Sequence, residues 1–147
     1  MEPFLQSENK EYILKYMKII SYNIHLADRL PIIIREFQAR GIMEDTAILC
    51  LQEALQDENG NTCEKILAAF PHLSLQYQLE PFPSQNGKMQ ANAIIYRSDI
   101  FTERKYHTFE IPKFPMEKNP WLQKIFAGNF KMPKIICQQI LLENKKK

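Results

Sequence analysis

Two short apolar stretches, separated by a stretch with helical spacing, constrain the fold of this chain more than any other feature. The first reads KIISYNI (18–24) and the second TAILCLQ (46–52). Both are rich in β-branched and aliphatic residues and predict strands, the second one apolar on both faces. Between them, residues 28–40 place their apolar side chains at helical intervals, which predicts a helix. Asp28 is the expected N-cap, Pro31 fits the first turn and Gly41 the end of this helix.

The remaining chain continues the pattern with one short helix and several strands. Residues 62–70 predict a helix that ends before Pro71, and the alternation in HLSLQYQL (72–79) predicts a strand. MQANAIIYR (89–97) and FTERKYHTFEI (101–111) predict an antiparallel pair, and KIICQQILLE (134–143) a last strand. The order strand, helix, strand, helix, strands predicts an α+β or mixed α/β fold with helices toward one side.

Composition narrows the class of protein. The 147 residues suit one domain, and a formal net charge of +2 does not indicate a nucleic-acid or membrane partner. The start lacks the pattern of a signal peptide, and no apolar stretch is long enough for a membrane span. The three cysteines are widely spaced, which excludes a Cys-x-x-Cys zinc framework and argues against a disulfide scaffold. Free thiols and a reducing, cytoplasmic compartment are expected.

A lone polar residue lies at the end of each of the first two predicted strands, Asn23 in the first and Glu53 in the second. A side chain at the rim of a sheet can point into a cleft while the strand fixes its position. One carboxylate suffices to hold Mg²⁺ together with water and phosphate oxygens, and an amide can orient those oxygens. Taken singly, such an Asn is typical of a turn and such a Glu of a solvated surface.

In this context the sequence resembles the start of the endonuclease/exonuclease/phosphatase superfamily. SYN (21–23) matches its first active-site strand, LQE (51–53) its metal-binding triplet, and GKMQANAIIYRSD (87–99) its following hairpin. The resemblance implies a phosphoester hydrolase in which Glu53 and Asn23 bind Mg²⁺ or Mn²⁺ and Asn23 orients the phosphate or a metal-bound water. It also implies the first half of a four-layer α/β/β/α sandwich, with a mixed, mostly antiparallel sheet and helices on one face.

The later motifs of that superfamily, a catalytic His, an Asp-x-Asn and an Asp-His pair, have no counterpart in this sequence. We therefore expect a truncated domain at 17–147, preceded by an extension at 1–16, with Met1 and Met17 both possible starts. Weak or absent metal binding and no activity alone are expected. The alternatives are a non-catalytic remnant or binding module, or one part of a split enzyme.

Substrate and partners are less constrained. Nucleic acid, lipid head groups and small phosphoesters all remain open, and the lysines and aromatics after residue 112 favour a solvated surface over a nucleic-acid groove. A missing second sheet would leave one apolar face partly uncovered, which predicts self-association or a complementing carboxy-terminal half. That face is expected to carry some of the following apolar residues: Ile19, Leu49, Leu51, Ile94, Ile136 and Ile140.

Overall fold

A computed structural model describes residues 17–83, 89–111 and 135–145 of the chain. In these ranges the helices are α1 (Leu30–Ala39) and α2 (Thr62–Ala69), and a 3₁₀ turn spans His25–Ala27. The strands are β1 (Lys18–Asn23), β2 (Thr46–Asp57), β3 (Gly60–Asn61), β4 (Leu75–Pro83), β5 (Met89–Arg97), β6 (Phe101–Ile111) and β7 (Ile135–Asn144).

The strands form two sheets. In the larger sheet the order is β1-β2-β5-β4, with β3 paired to the far end of β2. β1 and β2 are parallel, and every other pairing in this sheet is antiparallel. Parallel neighbouring strands need a crossover connection, which is usually a helix. Here α1 is the crossover between β1 and β2. The second sheet is the antiparallel pair of β6 and β7.

Local sequence signals explain both helices. Pro31 lies in the first turn of α1, and Gly41 follows its end with a φ of +58°. Asp28 is not the N-cap of α1: Arg29 occupies that position without a capping side chain, because the 3₁₀ turn places Asp28 one residue too early. α2 begins with a capping box, in which Asn61 and Glu64 each bond the other's backbone N–H.

The main core lies between the helices and one face of the larger sheet. It contains buried residues from both helices, from the segments that follow them and from β2 and β5, among them Phe37, Met43, Leu49, Leu51, Ile66, Phe70, Ala91, Ala93 and Ile95. Both helices thus cover the same face, so the predicted α+β class and the mixed, mostly antiparallel sheet are confirmed.

The predicted pairing of 89–97 with 101–111 is wrong. β5 lies between β2 and β4, and β6 pairs instead with β7. The turn at Ser98 carries the chain from one sheet to the other, with the Ser98 N–H bonded to the Ser74 carbonyl at 2.8 Å. The apolar contacts of Tyr96 with Phe101 are therefore contacts between sheets.

The apolar face predicted to be uncovered is largely covered. Leu49 and Leu51 are buried beneath the helices, and Ile94 is only 8% exposed. Ile140 is half-buried against the second apolar cluster, which joins the two sheets. Leu49 and Leu51 are covered because they lie on the helix side of the sheet, whereas Ile140 is partly covered because β6 and β7 supply part of a second sheet. The prediction holds for Ile19, which is 56% exposed; the side chain of Ile136 lies outside the described part of the chain.

Several predictions concern residues outside the described ranges. The extension at 1–16 is among them, as are the lysines and aromatics between 112 and 134. Among the described residues, no helix combines the length and apolar character that crossing a membrane requires.

Candidate active site

Asn23 and Glu53 lie together in the structure. The parallel pairing of β1 with β2 places Asn23 opposite Gln52, and Nδ2 of Asn23 donates a hydrogen bond to Oε1 of Glu53 at 3.0 Å. The side chains thus meet across 30 residues of sequence. Their roles as metal ligand and phosphate-orienting amide stay predictions.

Glu53 reaches this position through a β-bulge. The sequence predicts that β2 ends here, but the strand continues to Asp57, so that prediction is wrong. Leu51 pairs with Ala93 and Ala54 with Ala91, which leaves two residues of β2 opposite one residue of β5. Such bulges re-aim a side chain and are common beside active sites. Glu53 has a φ of +57°, which is uncommon for a residue other than glycine.

The amide of Asn23 is held at both ends. Its Oδ1 accepts a hydrogen bond from the His25 N–H at 2.9 Å, while its Nδ2 points to Glu53. Asn23 therefore makes both the backbone bond typical of an Asn in a turn, to the His25 N–H, and the side-chain bond to Glu53 that the site needs. The backbone of the next residue is also tied to β2, since the Ile24 N–H bonds the Gln52 carbonyl at 3.0 Å.

The pair lies on the face of the sheet opposite the helices. Ile20, Leu49 and Leu51 belong to the helix-side core, so the residues that alternate with them in β1 and β2 face the other way. Asn23 follows this alternation, and the bulge brings Glu53 to the same face. A cavity of about 600 Å³ lies on the α1 side of Asn23; its lining includes Tyr22, Arg29 and Phe37 but not Glu53.

The donor set suits magnesium better than zinc. In the described part of the chain, Oε2 of Glu53 has no hydrogen-bond partner, so this oxygen is available to a cation. The described residues contain no group of three or more His, Cys, Asp and Glu side chains that could hold a metal. Zinc sites need such groups, whereas Mg²⁺ uses one or two carboxylates and retains several waters.

The histidines do not complete a catalytic arrangement with this pair. The ring of His25 is exposed, with Nδ1 3.7 Å from Oδ2 of Asp28, and Nε2 of His72 lies 3.3 Å from Oε1 of Glu44. His107 lies exposed on β6. In the described ranges, none of the three rings makes a hydrogen bond with the side chains of Asn23 or Glu53.

Sequence reasoning missed the bulge and the residues that line the cavity. Arg29 carries no motif, and its place in the cavity lining with Tyr22 and Asn23 depends on how α1 packs against β1. The ring of Tyr22 meets that of Phe37 edge-on, with centroids 6.2 Å apart. Only the helical spacing of α1 could have indicated that Phe37 faces the sheet.

The two sheets, with the helices on the outer face of the larger one, are the fold of the endonuclease/exonuclease/phosphatase proteins, as the sequence resemblance implied. An endonuclease/exonuclease/phosphatase family protein from Bacteroides thetaiotaomicron is similar, with a TM-score of 0.58 and 19% identity over 88% of this chain and 44% of that chain. A mannosyl-6-phosphatase from the same organism gives a TM-score of 0.57 and 18% identity over 88% of this chain and 47% of its own.

A third similar structure, an endonuclease/exonuclease/phosphatase from Bacteroides vulgatus, has a TM-score of 0.52 and 13% identity, covering 86% of this chain and 46% of that one. No family model and no curated protein matches the sequence. The chain thus spans less than half the length of the solved proteins whose fold it shares.

Proposed function

We propose that this chain carries the metal-binding part of a phosphoester hydrolase site, with Glu53 as the ligand of Mg²⁺ or Mn²⁺ and Asn23 beside it. The observation that carries the proposal is the 3.0 Å contact between the two side chains, built by a bulge in β2. The shared fold supports the same class of reaction.

Each residue has a distinct task in this proposal. A bound magnesium ion would neutralise negative charge on the phosphoryl group. Glu53 would hold the ion through Oε2, because Oε1 is already occupied by the amide of Asn23. Asn23 keeps the carboxylate in one orientation and adds a neutral donor, so it can meet a phosphoryl oxygen without adding negative charge.

Turnover also needs a group that moves a proton. No histidine ring of the described ranges hydrogen-bonds to the side chains of Asn23 or Glu53, so we infer that residues 1–147 alone do not hydrolyse substrate. Metal binding should be weak because Glu53 supplies a single carboxylate. A second polypeptide would then supply the missing group, either another copy of this chain or a complementing carboxy-terminal half. A non-catalytic binding module is the competing proposal, and the same experiments separate the two.

Magnesium titration of the purified chain, followed by NMR, tests the metal site. We expect the side-chain resonances of Glu53 to move first, and Glu53→Gln to abolish the change. The matched control is Glu58→Gln, which alters an exposed glutamate in the turn after β2 and should leave the titration unchanged. If Glu53 does not respond in the wild type, the metal-site proposal is wrong and the binding-module alternative gains support.

Hydrolysis assays test the second part. A generic phosphodiester and mannose 6-phosphate are suitable probes, the latter because one protein of this fold is a mannosyl-6-phosphatase. We expect no rate above a metal-only control. A magnesium-dependent rate that disappears in both Asn23→Ala and Glu53→Ala would show instead that the chain is competent alone.

A further inference from the structure

A row of polar residues crosses the larger sheet at the level of the site. The strand registers place Asn23 of β1 opposite Gln52 of β2, and the bulge at Gln52 and Glu53 lies opposite Asn92 of β5. Asn92 in turn pairs with Glu80 of β4. Four neighbouring strands therefore each contribute a polar residue at one level of the sheet.

Asn92 lies on the same face as the Asn23–Glu53 pair. Its neighbours Ala91 and Ala93 are buried in the helix-side core, so alternation places Asn92 on the opposite face. Glu80 shows the same orientation independently, because the hydroxyl of Tyr106, which belongs to the second sheet, lies 3.5 Å from its Oε2.

The polarity of Asn92 contrasts with its strand. Ala91, Ala93, Ile94, Ile95 and Tyr96 are all buried, whereas Asn92 is half-buried. On the same face, the next position along β5 toward Tyr96 is Ile94, opposite Cys50. The polar row thus begins where the strands reach the candidate site.

We propose that Asn92 is a third residue of the site and that its amide binds a phosphoryl oxygen of the phosphoester held at Glu53. This inference rests on the proposed function and adds a substrate contact to it. The bulge allows this role because it widens β2 at Glu53, so two side chains of β2 face the single side chain of Asn92.

Substitution of Asn92 by aspartate tests the placement with little change in shape. A carboxylate added beside Glu53 creates a two-carboxylate magnesium site, so Asn92→Asp should bind Mg²⁺ at least about tenfold more tightly than the wild type. The control is Asn59→Asp in the exposed turn after β2, which should leave the affinity unchanged. Thermal unfolding shows whether both variants fold. A nuclear Overhauser effect between the Asn92 amide and Glu53 tests the same placement in the wild type.

The outcomes separate the two proposals. If wild-type Glu53 responds to magnesium but Asn92→Asp binds no more tightly than Asn59→Asp, the placement of Asn92 is wrong and the proposed function stands. If the wild type fails to bind and Asn92→Asp binds, the placement is right and the proposed function is wrong. If neither binds, both are overturned.

The substrate contact is tested with inorganic phosphate in the presence of magnesium. We expect the side-chain amide resonances of Asn92 to move together with those of Asn23, and Asn92→Ala to weaken phosphate binding about tenfold at unchanged magnesium affinity. Movement of the Asn23 amide without that of Asn92 would overturn the role of Asn92 as a phosphate contact.

Discussion

The strained backbone at Glu53 leads to a prediction about stability. Both Glu53→Gly and Glu53→Ala remove the carboxylate and its contact with Asn23. They differ in the backbone, since alanine at a φ of +57° retains a steric conflict of about 1–2 kcal/mol that glycine does not have. The flexibility of glycine in the unfolded chain reduces this difference by about 0.5–1 kcal/mol. We therefore expect Glu53→Gly to be more stable than Glu53→Ala by about 1 kcal/mol.

The same pair of substitutions at Gln56 is the matched control. Gln56 is exposed on the same strand and lies outside the bulge, in register with Asn61 and Met89. There the order should reverse, with alanine more stable than glycine by about 0.5–1 kcal/mol. Urea unfolding of the four variants measures both differences. If alanine is more stable than glycine at position 53 as well as at position 56, the reasoning that the bulge stores strain at Glu53 is refuted.

Three further predictions concern the surrounding fold. Burial and, to a smaller degree, Glu103 raise the pKa of Tyr96 to about 12. Above pH 10 the unfolded state therefore loses the phenol proton first, and the free energy of unfolding should fall by about 1 kcal/mol by pH 11 after solvent screening. Urea unfolding measures this loss, which Tyr96→Phe should lack. Asn61→Ala removes the capping box of α2 and should lower the free energy of unfolding by about 1 kcal/mol, also measurable in urea. Burial and, to a smaller degree, the charge of Glu64 raise the pKa of Cys63 to about 12. A thiol reagent near neutral pH should therefore modify Cys63 only when urea unfolds the chain, which mass spectrometry of peptides would detect.

The elements around the site were predictable because their signals are local. The apolar spacing of residues 28–40, Pro31 and Gly41 define α1 within a few residues, and the flanking apolar stretches define β1 and the start of β2. The pairing of strands was not predictable in the same way. The pairing of β6 with β7 joins residues up to 43 positions apart, namely Phe101 and Asn144. The apolar pattern of each strand does not indicate which other strand it pairs with.

The bulge was also outside the reach of the sequence. No glycine marks it, since Gln52 and Glu53 occupy the two positions, and β-bulges are most readily recognised from a glycine inside a strand. The sequence indicated that Glu53 and Asn23 should meet, but for a different reason, namely that both would end their strands. The meeting instead depends on a register shift that only the pairing with β5 reveals.

That register shift explains why Glu53 faces the site at all. In an uninterrupted strand, Glu53 would share the face of Leu49 and Leu51 and enter the helix-side core. Burial of an unpaired carboxylate there would cost several kcal/mol, more than the strain of about 1–2 kcal/mol that the bulge imposes. After the bulge, Ala54 returns to the core and is fully buried. The packing of the helix-side core therefore favours the bulge, and the bulge in turn directs the carboxylate toward Asn23.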